Sequence, residues 1–241
     1  MKKQFYCIAS TVFFIVLTTV FIYKLFIYKL VNNIQELVVA TCKEDLSWID
    51  EVSEHYDRVT VYDKCNILPT FKSPNVSVES VPNVGSCDNA FLTYIIDRYE
   101  TLPHKVEFTK GKSDPLRHNY IHCQPCEKNN SDDLLDFKLK HWQFTNNTTQ
   151  QFEFIRSNHE NMRDWVEQNT LLNTEMFAES GCNVRYGGYF AVTREQIMNM
   201  PKYVYKNLWN QQHHANAEVD HFIERSWGTM FCTSTPVSKL L

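Results

Sequence analysis

Several familiar catalytic signatures are missing from these 241 residues. There is no G-x-G-x-x-G loop, no Walker phosphate loop, no G-x-S-x-G elbow and no H-E-x-x-H. The chain therefore lacks the hallmarks of Rossmann dehydrogenases, P-loop NTPases, elbow-serine hydrolases and zincins. A convincing D-x-D is absent too, Ser131-Asp132-Asp133 being the nearest acidic cluster. Glycine numbers only 6 and proline 8, which excludes collagen-like repetition. A content of 43% hydrophobic and 22% charged residues excludes wholesale disorder. Acid is missing from the first thirty residues, which carry Lys2, Lys3, Lys24 and Lys29. The remainder holds 20 basic and 28 acidic residues, a net of −8 within an overall charge of −4. An acidic domain holds a phosphate backbone poorly, so nucleic acid is not an expected partner. No internal repeat or low-complexity segment occurs.

Phe5 to Tyr23 is an uncharged run of nineteen residues. As a helix it would be about 28 Å long, close to the thickness of a bilayer's hydrocarbon layer. No small-residue cleavage site follows before Asn32, so the run reads as a retained signal anchor. Lysines flank it on both sides and leave its orientation open. Cys42, Cys65, Cys87, Cys123, Cys126, Cys182 and Cys232 lie beyond it, with N-x-S/T acceptors at Asn75, Asn129, Asn146 and Asn147. That combination suits an oxidising lumen. The expected organisation is a single-pass type II protein: a cytoplasmic tail at 1–4, an anchor at 5–23, a stem at 24–36 and a lumenal domain at 37–241. Golgi or endoplasmic reticulum is the expected compartment. Seven lumenal cysteines leave at least one unpaired within the chain. Cys123-Gln-Pro-Cys126 is read as structural disulfide chemistry; a zinc site would need a second ligand pair, and a redox pair would need a strand–helix context.

Leu37 to Thr41 and Val59 to Asp63 are apolar and β-branched runs, predicted as strands. Trp48-Ile49 falls in a turn or short helix, and residues 68–83 form an exposed, proline-bearing connection. Ala90, Phe91, Tyr94, Ile95 and Tyr99 recur at helical spacing after Ser86, a candidate N-cap. Val106-Glu107-Phe108 is a third strand. Strand, helix, strand predicts a βαβ unit and a parallel sheet. Residues 112–150 read as long loops and residues 152–173 as partly helical. Gly187-Gly188-Tyr189-Phe190 is a turn entering a strand, and Thr193 to Gln196 fits a capping box. Pro201 opens a helix through Trp209. The last helix runs over about residues 218–231.

In open α/β sheets, ligands sit beyond the carboxyl ends of the strands. Thr41, Asp45, Asp63 and Lys110 end or follow predicted strands: acids there can accept from ribose or base groups, and a lysine there can meet phosphate. Asn83 and Gly85 precede the central helix. Asp88, in its first turn, would repel a phosphate and suits a sugar hydroxyl or a metal better. Asp220 and Glu224 share one face of the last helix, where a carboxylate could act as general base. The plain alternative for each is an ordinary solvated polar residue. His213-His214 reads as a polar turn.

Four ordered blocks together resemble the DUF3431 family, which is regarded as glycosyltransferase-like. They are Val38–Ala40 with Glu44–Trp48 and Val59–Lys64; Pro82–Gly85 with Phe91-Leu92, Ile95-Ile96 and Tyr99–Pro103; Gly187–Glu195; and Phe222–Trp227. Cys87, Asn89 and Lys110-Gly111 depart from that family's usual polar residues. The resemblance implies a single GT-A-like, Rossmann-like domain with a mixed, mostly parallel sheet. It implies sugar transfer from a nucleotide-sugar donor to an acceptor hydroxyl of a glycan or glycoprotein. Glu224, or Asp220 beside it, would be the base. Asp45 and Asp63 would hold the nucleoside with Thr41, Asn83 and Gly85 near the donor, while Asp88 and Lys110 would approach the diphosphate or sugar. Gly187, Gly188 and Arg194 would lie on the acceptor side. Without a D-x-D, Mn²⁺ is optional and its ligands are unassigned. A non-catalytic lumenal binding protein on the same fold is the alternative, and a thiol protein using Cys123 and Cys126 is a third reading.

Overall fold

A computed structural model describes residues 18–19, 34–112, 121, 123, 128–138, 155–180, 184, 187–214 and 217–232. Apart from Thr18 and Thr19, the expected anchor lies outside them. Among the described residues no helix is long and apolar enough to cross a membrane.

The elements in chain order are β1 (Gln35–Thr41), α1 (Trp48–Val52), β2 (Arg58–Asp63), β3 (Val76–Ser80), α2 (Ser86–Arg98), β4 (Lys105–Lys110), α3 (Lys128–Leu135), α4 (Met162–Asn169), α5 (Thr174–Ser180), β5 (Phe190–Thr193), α6 (Arg194–Met198), α7 (Lys202–Trp209) and α8 (Glu218–Cys232). The strands form one sheet in the order β3-β2-β1-β4-β5. β1 pairs in parallel with both β2 and β4, β2 with β3, and only β4–β5 is antiparallel. The expected α/β class with a mixed, mostly parallel sheet is therefore what the chain adopts.

Period-two alternation sends β1 into two cores. Val38 and Ala40 face Phe91, Tyr94 and Ile95 of α2 and Phe222 and Trp227 of α8, together with Phe108 and Phe190. Leu37 and Val39 face Leu46, Ile49, Val59 and Val61 on the other side. Burial on both faces is why these strands read as apolar runs rather than as an alternating pattern. One polar residue crosses this core: buried Glu36 accepts from Thr60 Oγ1 at 2.8 Å and Tyr94 OH at 2.9 Å, and pairs with Arg58 at 2.8 Å. A buried carboxylate is tolerable only when so paired.

Four expectations need correction. The connection at 68–83 contains β3, a short edge strand whose Val-Ser-Val-Glu-Ser alternation is hidden among flanking prolines. Within 112–150, residues 128–135 are helical. β1 begins at Gln35, inside the expected stem. Ser86 is not the cap of α2: Gly85, at φ 62°, takes that place, and Ser86 at φ 51° is the first helical residue, with no capping side chain. The Thr193 capping box is present.

Cys42 bonds to Cys65 and Cys123 to Cys232, while buried Cys87 is free. Cys7, Cys126 and Cys182 lie outside the described residues. Cys123 of the Cys123-Gln-Pro-Cys126 motif is thus joined to the end of α8.

Candidate functional site

The strand order reverses at β1. From β1 the chain moves to β2 and β3 on one side, then crosses to β4 on the other. Diverging connections leave a crevice at the carboxyl ends of such a strand pair. The ends of β1 and β4 meet there. Gly111 N donates to Ala40 O at 2.8 Å, and Trp48 Nε1 donates to Gly111 O at 3.0 Å. A Cβ on Gly111 would lie 2.6 Å from Thr41 Oγ1, so the two strand ends approach through glycine. Glu44 accepts from Thr41 Oγ1 at 2.8 Å and from Cys42 N, and these bonds outweigh burial to hold its carboxyl below the usual range.

Two helix starts and one turn close over this rim. Lys64, buried just past β2, donates through Nζ to Val84 O at 2.6 Å and to Ser86 O. It thereby braces the Asn83–Ser86 turn from below. Burial depresses its pKa, against the pull of Asp88 and Asp220. Gln212 locks the same turn from above, with Nε2 donating to Gly85 O at 3.2 Å and to Asp220 Oδ1 at 3.3 Å. A Cβ on Gly85 would stand 2.6 Å from Gln212 Cδ. Glycine is thus required twice over, for its φ and for its neighbour.

Asp88 follows in the first turn of α2, only 2% exposed. Trp227 of α8 donates to its Oδ1 at 2.6 Å. Burial first, and then the charge of Glu224, push its carboxyl up to about 7. Burial also pushes Asp220 up to about 6 and the Cys87 thiol up to about 12. Lys110 ends β4. Burial works against its charge, but Cys87, Asp88 and Glu224 together outweigh that and raise its pKa.

Gly187 and Gly188 have φ of 88° and 74° and precede β5. Because β5 runs antiparallel, its start lies at the carboxyl rim of the parallel strands. A Cβ on Gly188 would sit 2.6 Å from Cys87 Sγ and 3.2 Å from Lys110 Cε, so the turn threads between them. Glu224 accepts from Gly187 N at 2.8 Å, and its side chain keeps 18% exposure beside Arg225, at 3.8 Å. His221 on the same helix is depressed by burial and by Arg225.

The structure thus brings Thr41, Gly85, Asp88, Lys110, Gly187, Gly188, Asp220 and Glu224 to one rim. Other candidates are placed differently. Asp63 is buried and turned into its own loop, accepting from Cys65 N at 2.8 Å and Leu68 N at 2.6 Å. Asp45 is exposed and accepts from Ser47 N at 2.9 Å. Asn83 is exposed and lies over the Cys42–Cys65 bridge, its amide 3.9 and 3.7 Å from the two sulfurs. Asp220 accepts from Ala217 N at 3.2 Å besides Gln212, so it caps α8 and is not open to an acceptor. Arg194 is not at this site: it follows Thr193, which pairs with Lys105 at the start of β4, and its N–H reaches His104 O at 3.0 Å. Five residue steps along β4 separate that end from Lys110, about 17 Å. Glu44, Lys64, Cys87, Gln212 and Trp227 are site neighbours not singled out as site residues from the sequence. Lys64 had a signal, since it directly follows a strand-end acid, and Trp227 had one as the end of the Phe222–Trp227 block; Gln212 had none.

Among the described residues no group of His, Cys, Asp and Glu is arranged to hold a metal ion. Of the expected glycan acceptors, Asn75 spends its side-chain N–H groups on Ser53 O and Tyr56 O, both at 2.9 Å. Asn129 lies in the first turn of α3, and Asn146 and Asn147 lie outside the described residues.

Residues 37–143 match the model of a family described as protein of unknown function, DUF3431. Asp88 and Lys110 lie within that match; Glu224 lies beyond it. No curated protein and no solved structure matches the chain.

Proposed function

We propose that the chain is a membrane-anchored lumenal glycosyltransferase of GT-A type, moving a sugar from a nucleotide-sugar donor to an acceptor hydroxyl of a glycan or glycoprotein. The observation that carries this reading is the placement of Lys110 and Glu224 on one crevice, where the strand order turns at β1 and β4. A diphosphate needs a cation beside it, and an acceptor hydroxyl needs an accessible carboxylate.

In this reading the donor lies over the ends of β1 and β4 with its diphosphate toward Lys110. Thr41, Gly85 and Gly111 are buried beneath it and let the strand ends and the Asn83–Ser86 turn pack closely. Asp63 acts indirectly, by shaping the loop at 64–68. Glu224 takes the proton of the acceptor hydroxyl as its oxygen attacks the anomeric carbon. The bond from that carbon to the diphosphate oxygen breaks, and the leaving diphosphate carries its electron pair toward Lys110. The configuration inverts. Gly187 N–H orients the Glu224 carboxylate by holding Oε1, and Oε2, 3.8 Å from Arg225, would meet the acceptor. The two disulfides and the apolar run at 5–23 are in keeping with a Golgi or endoplasmic reticulum lumen.

The test uses the full chain, purified in detergent from a secretory host. UDP- and GDP-sugars are screened by thermal shift, with and without Mn²⁺. A donor at a hundredfold excess over its Kd should add about 2.7 kcal/mol of stability. Binding that is lost in Lys110→Ala, and transfer that is lost in Glu224→Gln with binding intact, would support the reading. Folded protein that answers to no donor would favour the non-catalytic binding protein instead.

A further inference from the structure

The gap that the strand order opens between β1 and β4 is filled by a side chain of the protein itself. Thr41 ends β1, and Gly111 directly follows β4. A Cβ on Gly111 would meet Thr41 Oγ1 at 2.6 Å and Glu44 Cβ at 3.1 Å, so the three residues converge on one point. There Glu44 Oε2 accepts from Thr41 Oγ1 at 2.8 Å and from Cys42 N. Two donors at the end of β1 thus meet on a single carboxylate oxygen. Between Cys42 and Glu44, Lys43 holds φ at 76°, a left-handed conformation that a lysine adopts only at a cost. Left-handed backbone among the described residues is confined to this rim: Lys43 after β1, Asn66 and Leu68 after β2, Gly85 and Ser86 before α2, Gly187 and Gly188 before β5. Backbone strain of this kind gathers where a ligand is clamped.

A phosphate oxygen and a carboxylate oxygen ask the same of these donors. Hydroxyl and backbone N–H groups turned to one point in a tight turn make an anion site. Glu44 is the anion that now sits on them. Burial works against its charge, but the two donors and Lys110, the residue before Gly111, outweigh it. Glu44 belongs to the connection between β1 and α1 and is half-buried, so its side chain can turn outward without unfolding a strand or a helix.

We propose that the end of β1 is a phosphate subsite that Glu44 occupies in the absence of ligand: a phosphate group takes the Thr41 hydroxyl and the Cys42 N–H in exchange for the Glu44 carboxylate, which turns to solvent. Only hydrogen bonds change. The exchange stands on the geometry of the strand end; that its ligand is the diphosphate of a nucleotide sugar rests on the donor reading above. A site open for a tenth of the time binds about tenfold more weakly than the same site left vacant.

The full chain in detergent is titrated with inorganic pyrophosphate, UDP-glucose and GDP-mannose at one fixed pH, without divalent metal. Glu44→Ala should bind pyrophosphate about tenfold more tightly than wild type. Glu51→Ala removes the same charge from an exposed position on α1 and should leave Kd within about twofold. Adding Thr41→Val to Glu44→Ala should cancel the gain. No gain in Glu44→Ala, or an equal gain in Glu51→Ala, overturns the proposal. A second measurement needs no variant. Crystals of the wild type grown with pyrophosphate should show a phosphate oxygen on Thr41 Oγ1 and Cys42 N, with Glu44 turned away. Pyrophosphate bound elsewhere, with Glu44 still on Thr41, overturns it. A gain for pyrophosphate with no nucleotide sugar bound by wild type or variant upholds the exchange and sinks the donor reading. A nucleotide sugar held equally well by wild type and Glu44→Ala upholds the donor reading and sinks the exchange.

Discussion

Trp227 and Asp88 are 139 residues apart in sequence and 2.6 Å apart in space. Their hydrogen bond ties the last helix to the first turn of the central one, and both helices lean over the same strand ends. Glu224 lies one turn before Trp227 on α8, and Lys110 lies beside Cys87.

Glu224→Gln separates chemistry from architecture. The amide retains an oxygen for Gly187 N–H, so the turn should stay closed and donor Kd should stay within about twofold. Transfer should fall by about 10²–10⁴, the range for loss of a general base. Product formation from single turnovers, set beside donor titrations of the same preparation, checks both halves.

Stability should depend on pH with an unusual sign near neutrality. The folded pKa values of Asp88 and Asp220, about 7 and about 6, lie above the ordinary aspartate value. Such groups contribute stability that is full below that ordinary value and is lost as pH rises through 6 and 7. Asp63 and Glu44 are held low, so theirs is present above ordinary carboxylate values and lost on acidification. The unfolding free energy from urea titrations should therefore rise from pH 8 to pH 6 by about 2 kcal/mol, go on rising toward pH 4, and fall again below that. Asp88→Asn combined with Asp220→Asn should flatten the upper limb only.

Asp63→Ala should cost about 2–4 kcal/mol, because the amides of Cys65 and Leu68 lose a charged acceptor in a buried setting. Asn66 and Leu68 sit at φ 55° and 50°, so the loop depends on that acceptor to keep its shape. Limited proteolysis at 64–68 and denaturant midpoints would register the change. Loss of donor binding without loss of stability would return Asp63 to direct contact with the nucleoside.

Gly85→Ala and Gly188→Ala should each destabilise by about 2 kcal/mol or more, since both combine positive φ with a contact near 2.6 Å. Their consequences should differ. Gly85→Ala displaces Gln212 and so unseats the cap on Asp220, whereas Gly188→Ala presses on Cys87 and Lys110. Circular dichroism melts with donor titrations of each variant distinguish the two.

Much of the sheet was legible because doubly buried parallel strands must be β-branched, as at Val59 to Asp63. The helix of Phe91, Tyr94 and Ile95 was legible from its spacing. β3 was not, because three prolines crowd it. Arg194 was misplaced for a different reason: a strand's sequence does not state its direction, and the antiparallel return of β5 carries its end to the far rim. Lys110 and Asp88 were legible as strand-end and helix-start polar residues, and Glu224 as an acid sharing a helix face with Asp220. What Asp63 does was not, since an acid at a strand end can serve a ligand or its own loop with equal ease. Gln212 and Trp227 act across more than a hundred residues, where no local pattern exists to find.

The Cys123–Cys232 bridge encloses a sequence separation of 109 residues and fastens the last residue of α8. On loop length alone it should be worth about 4.8 kcal/mol, against about 3.5 kcal/mol for Cys42–Cys65. The helix that carries Glu224 is thus pinned at its far end by an oxidation event. Chain made where thiols stay reduced would leave that helix tethered only through its cap and core. The bridge thus sets how firmly the far end of that helix is held, while its near end is fixed separately by Asp220 and Gln212.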